Sequence, residues 1–170
     1  EFARDQLASA GFKNIQGYRA GGWFINAKQL EIVKNAGFVY DSSGRSKTTS
    51  GAFRTIPWNL TDTAQPYILD TDDQNIAAST PGLLEIPNNA LTTYESSVSE
   101  LLARVQLMYT NTPLGQPKTL VYVSHPQFYM REFSKISPVL DYLQSISIEN
   151  DNGPVVFSTT ANIATLWNLR

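Results

Sequence analysis

Residues 15 to 43, IQGYRAGGWFINAKQLEIVKNAGFVYDSS, carry the clearest structural pattern in the chain. Ile15–Arg19 is predicted to form a strand. Asn26 is a typical N-cap, and Gln29 three residues later completes a capping box, so a helix is predicted to begin here. Gly37 ends that helix, and Phe38–Tyr40 is predicted to form the next strand. Strand, helix and strand in this order are the repeating unit of a parallel sheet.

The same alternation of helices and strands extends outward to both ends of the chain. Further strands are predicted at Leu83–Pro87, Thr119–Val123 and Val155–Phe157. One further helix is predicted at Phe2–Ala10, and another has an inward face formed by Val98, Leu101, Leu102, Val105, Met108 and Tyr109. Two more helices are predicted to begin at Ser137-Pro138, with Leu140 inward, and at Thr160. Residues 44–81 are predicted to be a long irregular insertion with short extended pieces at Ile56–Trp58 and Pro66–Leu69. About five strands alternating with helices predict an α/β fold built on a parallel sheet or part of a (β/α) barrel, because a complete barrel needs roughly 250 residues.

Composition excludes several classes of protein. The 170 residues suit one domain or a large piece of one. The net charge is −2, from 13 basic and 15 acidic residues, and no Lys/Arg-rich run predicts a nucleic-acid partner. No apolar run approaches the ~18 residues that predict a membrane span. The single histidine and the absence of cysteine mean that the chain is not expected to build a zinc site from these ligands.

Polar residues follow the predicted strands at their carboxyl ends. Arg19 follows the first strand, Asp41 the second, Glu85 lies in the third, and His125 follows the fourth. In a (β/α) barrel the carboxyl ends of the strands converge on one face, where active sites lie. These residues are therefore candidates for one shared site.

Each candidate also has a structural interpretation. Arg19 or Glu85 can form an ion pair, Asp41 can cap a turn, His125 can hydrogen-bond to backbone, and Trp23 can belong to the core. Other catalytic patterns are absent from the sequence: it contains no G-x-S-x-G elbow and no H-E-x-x-H motif.

Four segments resemble, in order, the polysaccharide deacetylase family (NodB homology, carbohydrate esterase family 4). Gly17–Asn26, GYRAGGWFIN, resembles its G-[FY]-R-A-x-G-W-x-I segment, and Gly37–Ser43, GFVYDSS, resembles its G-[FY]-x-Y-D-S-S strand. Gly82–Pro87, GLLEIP, is similar to its G-[LI]-x-E-[IV]-P strand, and Val121–Pro126, VYVSHP, to its strand ending in His-Pro. The resemblance implies that residues 1–170 are a single segment, the C-terminal half of a distorted (β/α) barrel.

The resemblance also implies an activity for the intact protein. Family members hydrolyse acetyl groups from amino-sugar polymers such as chitin or peptidoglycan with a divalent metal, zinc foremost. The family's metal-binding aspartate and H-x-x-x-H motifs have no counterpart here, so no metal is expected on this segment alone, and the segment alone is expected to be inactive. By resemblance His125 is the general acid, Arg19 orients the absent aspartate base, and Asp41 orients His125. The implied substrate-binding residues are Trp23, Gly22 and Pro126.

Two other functions remain open. The chain can be a non-catalytic carbohydrate-binding or structural protein on a degenerate barrel, with a glycan groove lined by Trp23, Trp58, Tyr67 and Phe128. It can also be an interaction module that exposes an unpaired sheet edge. The expected partners are an acetylated polysaccharide and either the missing N-terminal half or a second copy. An exported or cell-envelope location in a bacterium is favoured, although the residues themselves leave the compartment undecided.

Overall fold

The computed structural model describes residues 2–46, 56–79, 81–90, 92, 96–110, 116–125, 127, 129–151 and 153–168. The chain divides into two compact units. The first contains Glu1–Pro87 and Thr160–Arg170, and the second contains Asn88–Thr159. The prediction that residues 1–170 form one segment of a larger domain stays a prediction.

The first unit contains a sheet of four short strands. The strands are β1 (Gly17–Tyr18), β2 (Tyr40–Asp41), β3 (Tyr67–Ile68) and β4 (Leu84–Glu85). Their order across the sheet is β1-β2-β4-β3. The first three in this order are parallel, and β3 is antiparallel to β4. The described residues therefore form an open sheet and confirm the α/β class, while closure into a (β/α) barrel remains a proposal.

The register of the parallel strands aligns their carboxyl ends. Tyr18 pairs with Asp41, and Asp41 pairs with Glu85. Because residues in register on neighbouring strands point to the same face of a sheet, the Asp41 and Glu85 side chains are neighbours. Arg19 and Ser42 are the next residues along β1 and β2, so they lie at the same edge.

Six α-helices lie in the described residues. Their bounds are α1 Phe2–Ser9, α2 Ala27–Asn35, α3 Val98–Thr110, α4 Tyr129–Ser145, α5 Ile148–Asp151 and α6 Thr160–Asn168. α1, α2 and α6 belong to the first unit, and α3, α4 and α5 to the second. None of these helices combines the length and the apolar composition needed to cross a bilayer.

The beginning and end of α2 confirm the sequence prediction. The Asn26 side chain accepts a hydrogen bond from the Gln29 N–H at 3.1 Å, and the Gln29 side-chain oxygen accepts one from the Asn26 N–H at 3.0 Å. These two bonds satisfy donors that a helix otherwise leaves unpaired at its N-terminus. After the helix, Gly37 has a φ of 82°, a left-handed conformation that glycine adopts at little cost.

In the second unit α3 packs against α4. Leu101 and Val105 of α3 and Val139 of α4 form a buried cluster. Leu101, Val105 and Met108 follow the helical spacing of one apolar face, as predicted, and all three are buried. Tyr109 lies at the margin of that face and is 53% exposed, so the prediction that it points inward is wrong.

The prediction that Ser137-Pro138 begins a helix is wrong, because both residues lie inside α4. Proline at an interior position removes one backbone hydrogen bond. Val139 is 3% exposed beneath α3, whereas Leu140, predicted to point inward, is 44% exposed. The burial of apolar side chains before and after Pro138 offsets the loss of this backbone hydrogen bond. The proline ring itself is exposed to solvent.

This position provides a test of the helix assignment. Pro138→Ala is expected to raise the free energy of unfolding by about 1–3 kcal/mol, because alanine restores the missing N–H donor within a helix. Chemical denaturation is the measurement, with Pro154→Ala in an exposed loop as the control for the entropy gained by the unfolded chain. A helix that instead began at Pro138 would gain nothing, since proline is favoured at a first helical position.

Thr119–Val123, predicted as a strand, forms only one bridge in the described residues, between its last residue and Thr92. The Asn89 side chain explains why. Its amide nitrogen donates to the carbonyl oxygen of Thr119 at 2.9 Å, and its oxygen accepts from the N–H of Val121 at 2.9 Å. A side-chain amide thus occupies the place of a neighbouring strand's backbone at Thr119 and Val121.

Val155–Phe157, predicted as a strand, has one bridge in the described residues, between Val155 and Ser147. Within the insertion 44–81, the extended piece predicted at Pro66–Leu69 contains strand β3, which pairs with β4. Residues 47–55 and 80 of that insertion lie outside the described residues.

Candidate functional site

The six residues Asp41–Ser46, which we call the polar segment, are buried even though most of them carry polar side chains. Asp41 and Ser43 are 0% exposed, and Arg45 is 1% exposed. A buried polar group left without a partner costs about 1–3 kcal/mol. The hydrogen bonds of this segment therefore decide whether the edge of the sheet is stable.

Ser42 connects the ends of three strands. Arg19 donates from Nε to the carbonyl oxygen of Ser42 at 2.8 Å and from Nη2 to its Oγ at 2.8 Å. The Ser42 hydroxyl in turn donates to the carbonyl oxygen of Ile86, just after β4, at 2.8 Å. The guanidinium is thus held in one orientation by two bonds, although part of Arg19 remains exposed.

The carboxylate of Asp41 accepts hydrogen bonds with both of its oxygens. The backbone N–H of Ser43 donates to Oδ2 at 2.9 Å, and the Ser43 hydroxyl donates to Oδ1 at 2.9 Å. The same hydroxyl accepts from the N–H of Ala20 at 2.9 Å. Because both donors require an acceptor, this site favours an ionised Asp41.

Glu85 is 0% exposed, and its two oxygens differ. Oε1 accepts from the N–H of Gly44 at 2.8 Å. Oε2 is buried, and no donor among the described residues hydrogen-bonds to it. The Glu85 carboxyl group is also within hydrogen-bonding reach of the Asp41 carboxyl group.

Burial and mutual repulsion act on the protonation of this pair. Burial raises the pKa of Glu85 well above its ordinary value of 4.5, and the charge of Asp41 and its hydrogen bond raise it further. Burial also raises the pKa of Asp41, but hydrogen bonds from Glu85 and Ser43 oppose that rise. Burial lowers the pKa of Arg19, whereas the charges of Asp41 and Glu85 raise it.

Gly22 and Trp23 lie in a short 3-10 turn with left-handed backbone, at φ values of 62° and 63°. The conformation costs a tryptophan roughly 1–2 kcal/mol, and surrounding contacts stabilise it. Trp58 Nε1 donates to the Trp23 carbonyl oxygen at 3.1 Å, and the Arg45 guanidinium lies 4.2 Å from the centre of the Trp23 ring system. Trp23 is 7% exposed, which leaves little of its ring available to a sugar; its predicted substrate role stays a prediction.

The remaining predicted residues lie elsewhere in the chain. His125 is half-buried and belongs to the second unit, whereas Arg19 and Asp41 belong to the first. Pro126 and Phe128 lie outside the described residues. The structure thus brings Arg19 and Asp41 together, and the orientation of His125 by Asp41 stays a prediction.

The sequence makes Glu85 a candidate for the shared site or an ion-pair partner, and it predicts no contact for Ser42 or Ser43. One signal was available: a lone carboxylate inside the apolar strand Leu83–Pro87 has to be buried next to whatever lies on the neighbouring strand. The neighbour is Asp41.

Gly44 provides a local test of this packing. A Cβ atom at Gly44 would lie 2.7 Å from Glu85 Oε1 and 2.9 Å from Leu60 Cδ1. Gly44→Ala is therefore expected to lower the free energy of unfolding by about 1–3 kcal/mol. Gly21→Ala is the matched control, because a Cβ there meets no atom within 4 Å; equal effects of the two substitutions in chemical denaturation would contradict the packing described.

Within the described residues, no three side chains of His, Cys, Asp or Glu come together as metal ligands. Comparisons with protein-family models, with curated proteins and with solved structures gave no match for this chain.

Proposed function

We propose that this chain is part of a carbohydrate deacetylase, an enzyme that hydrolyses acetyl groups from amino-sugar polymers of the chitin or peptidoglycan type. The observation that carries the proposal is the position of Arg19. Its guanidinium is fixed by Ser42 at the carboxyl edge of parallel strands and remains partly exposed. Active sites of α/β proteins lie at this edge, and Arg19 belongs to one of the two segments whose resemblance to the deacetylase family is the more specific.

The proposed roles follow from the chemistry of amide hydrolysis. His125 is the general acid that protonates the leaving amine, a role that histidine takes often in enzymes. Arg19 is a positioning residue: a guanidinium locked by two hydrogen bonds presents a fixed positive charge and remaining donors to a carboxylate. Asp41 acts indirectly, by holding the turn next to Ser42 and Arg19, because both of its oxygens accept hydrogen bonds from Ser43.

The divalent metal of such an enzyme would polarise the acetyl carbonyl and activate water. We propose that its ligands are supplied from outside this chain, by the missing half of the barrel. The 170-residue chain purified alone is then expected to hold no stoichiometric zinc after dialysis, as measured by elemental analysis. One equivalent of zinc per chain would contradict this arrangement.

The proposal is tested with the protein that contains this chain, loaded with zinc, and oligomers of N-acetylglucosamine as substrate. We expect acetate release that a chelator abolishes and added zinc restores. Binding of the oligomers without acetate release would instead identify a non-catalytic carbohydrate-binding protein. If the oligomers are neither bound nor deacetylated, both assignments are overturned.

A further inference from the structure

Two carboxyl groups from adjacent parallel strands lie side by side beneath the sheet edge. Asp41 of β2 and Glu85 of β4 pair in register, and both are 0% exposed. Two ionised carboxylates in contact, without water, repel each other strongly, and such pairs retain a proton between them.

The hydrogen bonds show which oxygen can hold that proton. Three of the four carboxyl oxygens accept from a donor: the two of Asp41 from Ser43, and Oε1 of Glu85 from Gly44. Oε2 of Glu85 is the fourth, and among the described residues no donor reaches it. A proton on Oε2 turns this oxygen into a donor and gives it the Asp41 carboxylate as acceptor.

We infer that Asp41 and Glu85 share one proton, carried on Oε2 of Glu85, and that this proton keeps the polar segment in the position that holds Arg19. The connection runs through consecutive residues. Asp41 fixes the Ser43 turn, Glu85 fixes Gly44, and Ser42 between them accepts both hydrogen bonds of Arg19. This inference does not depend on the proposed deacetylase activity.

Charged and titratable groups surround the pair on every neighbouring strand. Arg19 after β1 favours an ionised pair, but its Nε and Nη2 donate to Ser42 and not to the carboxylates. The charge of Tyr40 on β2 raises the pKa of Arg19.

Tyr67 on β3 donates its hydroxyl to the Gln74 carbonyl at 2.6 Å, so this hydroxyl does not donate to the carboxyl pair. Burial and the charges of Glu85, Asp41 and Asp73 raise the pKa of Tyr67. Arg45, within the polar segment, stacks on Trp23.

The shared proton makes the stability of the chain depend on pH with a definite sign. The unfolded chain releases the Glu85 proton above its ordinary pKa of 4.5, whereas the folded chain retains it, because burial and Asp41 raise the folded pKa. The stabilisation is thus fully present below about pH 4.5 and is lost as the pH rises through the folded pKa. Between the unfolded and the folded pKa of Glu85, the unfolding equilibrium constant rises by about a factor of ten per pH unit because of this proton.

The test compares urea unfolding of the wild-type chain and Glu85→Gln between about pH 5 and pH 8. Glutamine keeps an oxygen for the Gly44 N–H and supplies an uncharged N–H donor to Asp41, so it needs no proton. The ratio of the wild-type unfolding constant to that of the variant is expected to rise with pH, by up to about tenfold per pH unit below the folded pKa of Glu85. Glu31→Gln, on the exposed face of α2, is the control and should leave the wild-type slope unchanged. If the unfolding constants of the wild type and Glu85→Gln change equally with pH, the shared proton is overturned.

A second measurement tests the connection to Arg19. The Nε–H resonance of Arg19 in nuclear magnetic resonance is expected to show slow hydrogen exchange in the wild type, because Nε donates to the Ser42 carbonyl. Glu85→Ala should increase that exchange about tenfold or more, because local opening becomes easier, and Glu85→Gln should restore the wild-type rate. If Glu85→Ala does not fold, the Arg19 Nε–H exchange rates of the wild type and Glu85→Gln are compared as the pH rises, and a ratio that does not change with pH would overturn the connection. Slow exchange retained in a folded Glu85→Ala chain would overturn the connection.

Discussion

Asp41→Asn is expected to lower the free energy of unfolding of the chain by about 2–4 kcal/mol. Both oxygens of Asp41 accept hydrogen bonds, from the N–H and the hydroxyl of Ser43. An asparagine amide has one acceptor oxygen, so its NH₂ group faces a donor at 0% exposure. The substitution therefore removes a charge-assisted bond and leaves a buried donor unpaired.

The corresponding change in its neighbour should have the opposite outcome. Glu85→Gln is expected to leave the free energy of unfolding at neutral pH unchanged or higher, because glutamine reproduces the hydrogen bonds of a protonated glutamate. The effects of Asp41→Asn and Glu85→Gln on the free energy of unfolding are thus expected to differ by roughly 2–4 kcal/mol or more. Asp72→Asn, at an exposed position, controls for the loss of one negative charge. Equal destabilisation by Asp41→Asn and Glu85→Gln in urea denaturation would show that the proton does not reside on Glu85.

His125→Ala is expected to reduce kcat for acetate release by about 10²–10⁴-fold in the zinc-loaded protein that contains this chain. Without a general acid the amine must leave as a high-energy anion, so the chemical step slows while binding of the oligosaccharide is retained. Steady-state kinetics and zinc analysis of the same preparations are the measurements. The variant should keep its zinc, because by resemblance the metal ligands lie outside this chain.

Gln127→Ala is the matched control for this substitution, since Gln127 is exposed and lies close to His125 in the sequence. It should retain the kcat and KM of the wild type. A His125→Ala variant with undiminished kcat would remove His125 from the reaction. Loss of zinc together with activity would instead place His125 at the metal.

Local signals in the sequence predicted the elements of the first unit well. The capping box of Asn26 and Gln29 and the glycine after α2 are satisfied within a few residues of chain, so no distant contact can change them easily. The parallel pairing of β1 and β2 follows from the strand–helix–strand order. The convergence of Arg19 and Asp41 on one edge follows from that pairing.

Features that depend on contacts between distant residues were not predictable from local patterns. Proline usually marks a helix start, but Pro138 lies within α4 because Val139 is buried against α3. Thr119–Val123 has the composition of a strand, yet the Asn89 side chain takes two of its backbone hydrogen bonds. Asp41 and Glu85 lie far apart in the sequence, and only the register between β2 and β4 brings their carboxyl groups together.

The central claim, hydrolysis of an acetyl group, is tested most directly by the fate of the water oxygen. The zinc-loaded protein that contains this chain is incubated with N-acetylglucosamine oligomers in oxygen-labelled water, and the released acetate is analysed by mass spectrometry. The account predicts acetate that carries one labelled oxygen, with a free amine left on the sugar. Oligomers that remain fully acetylated would contradict it.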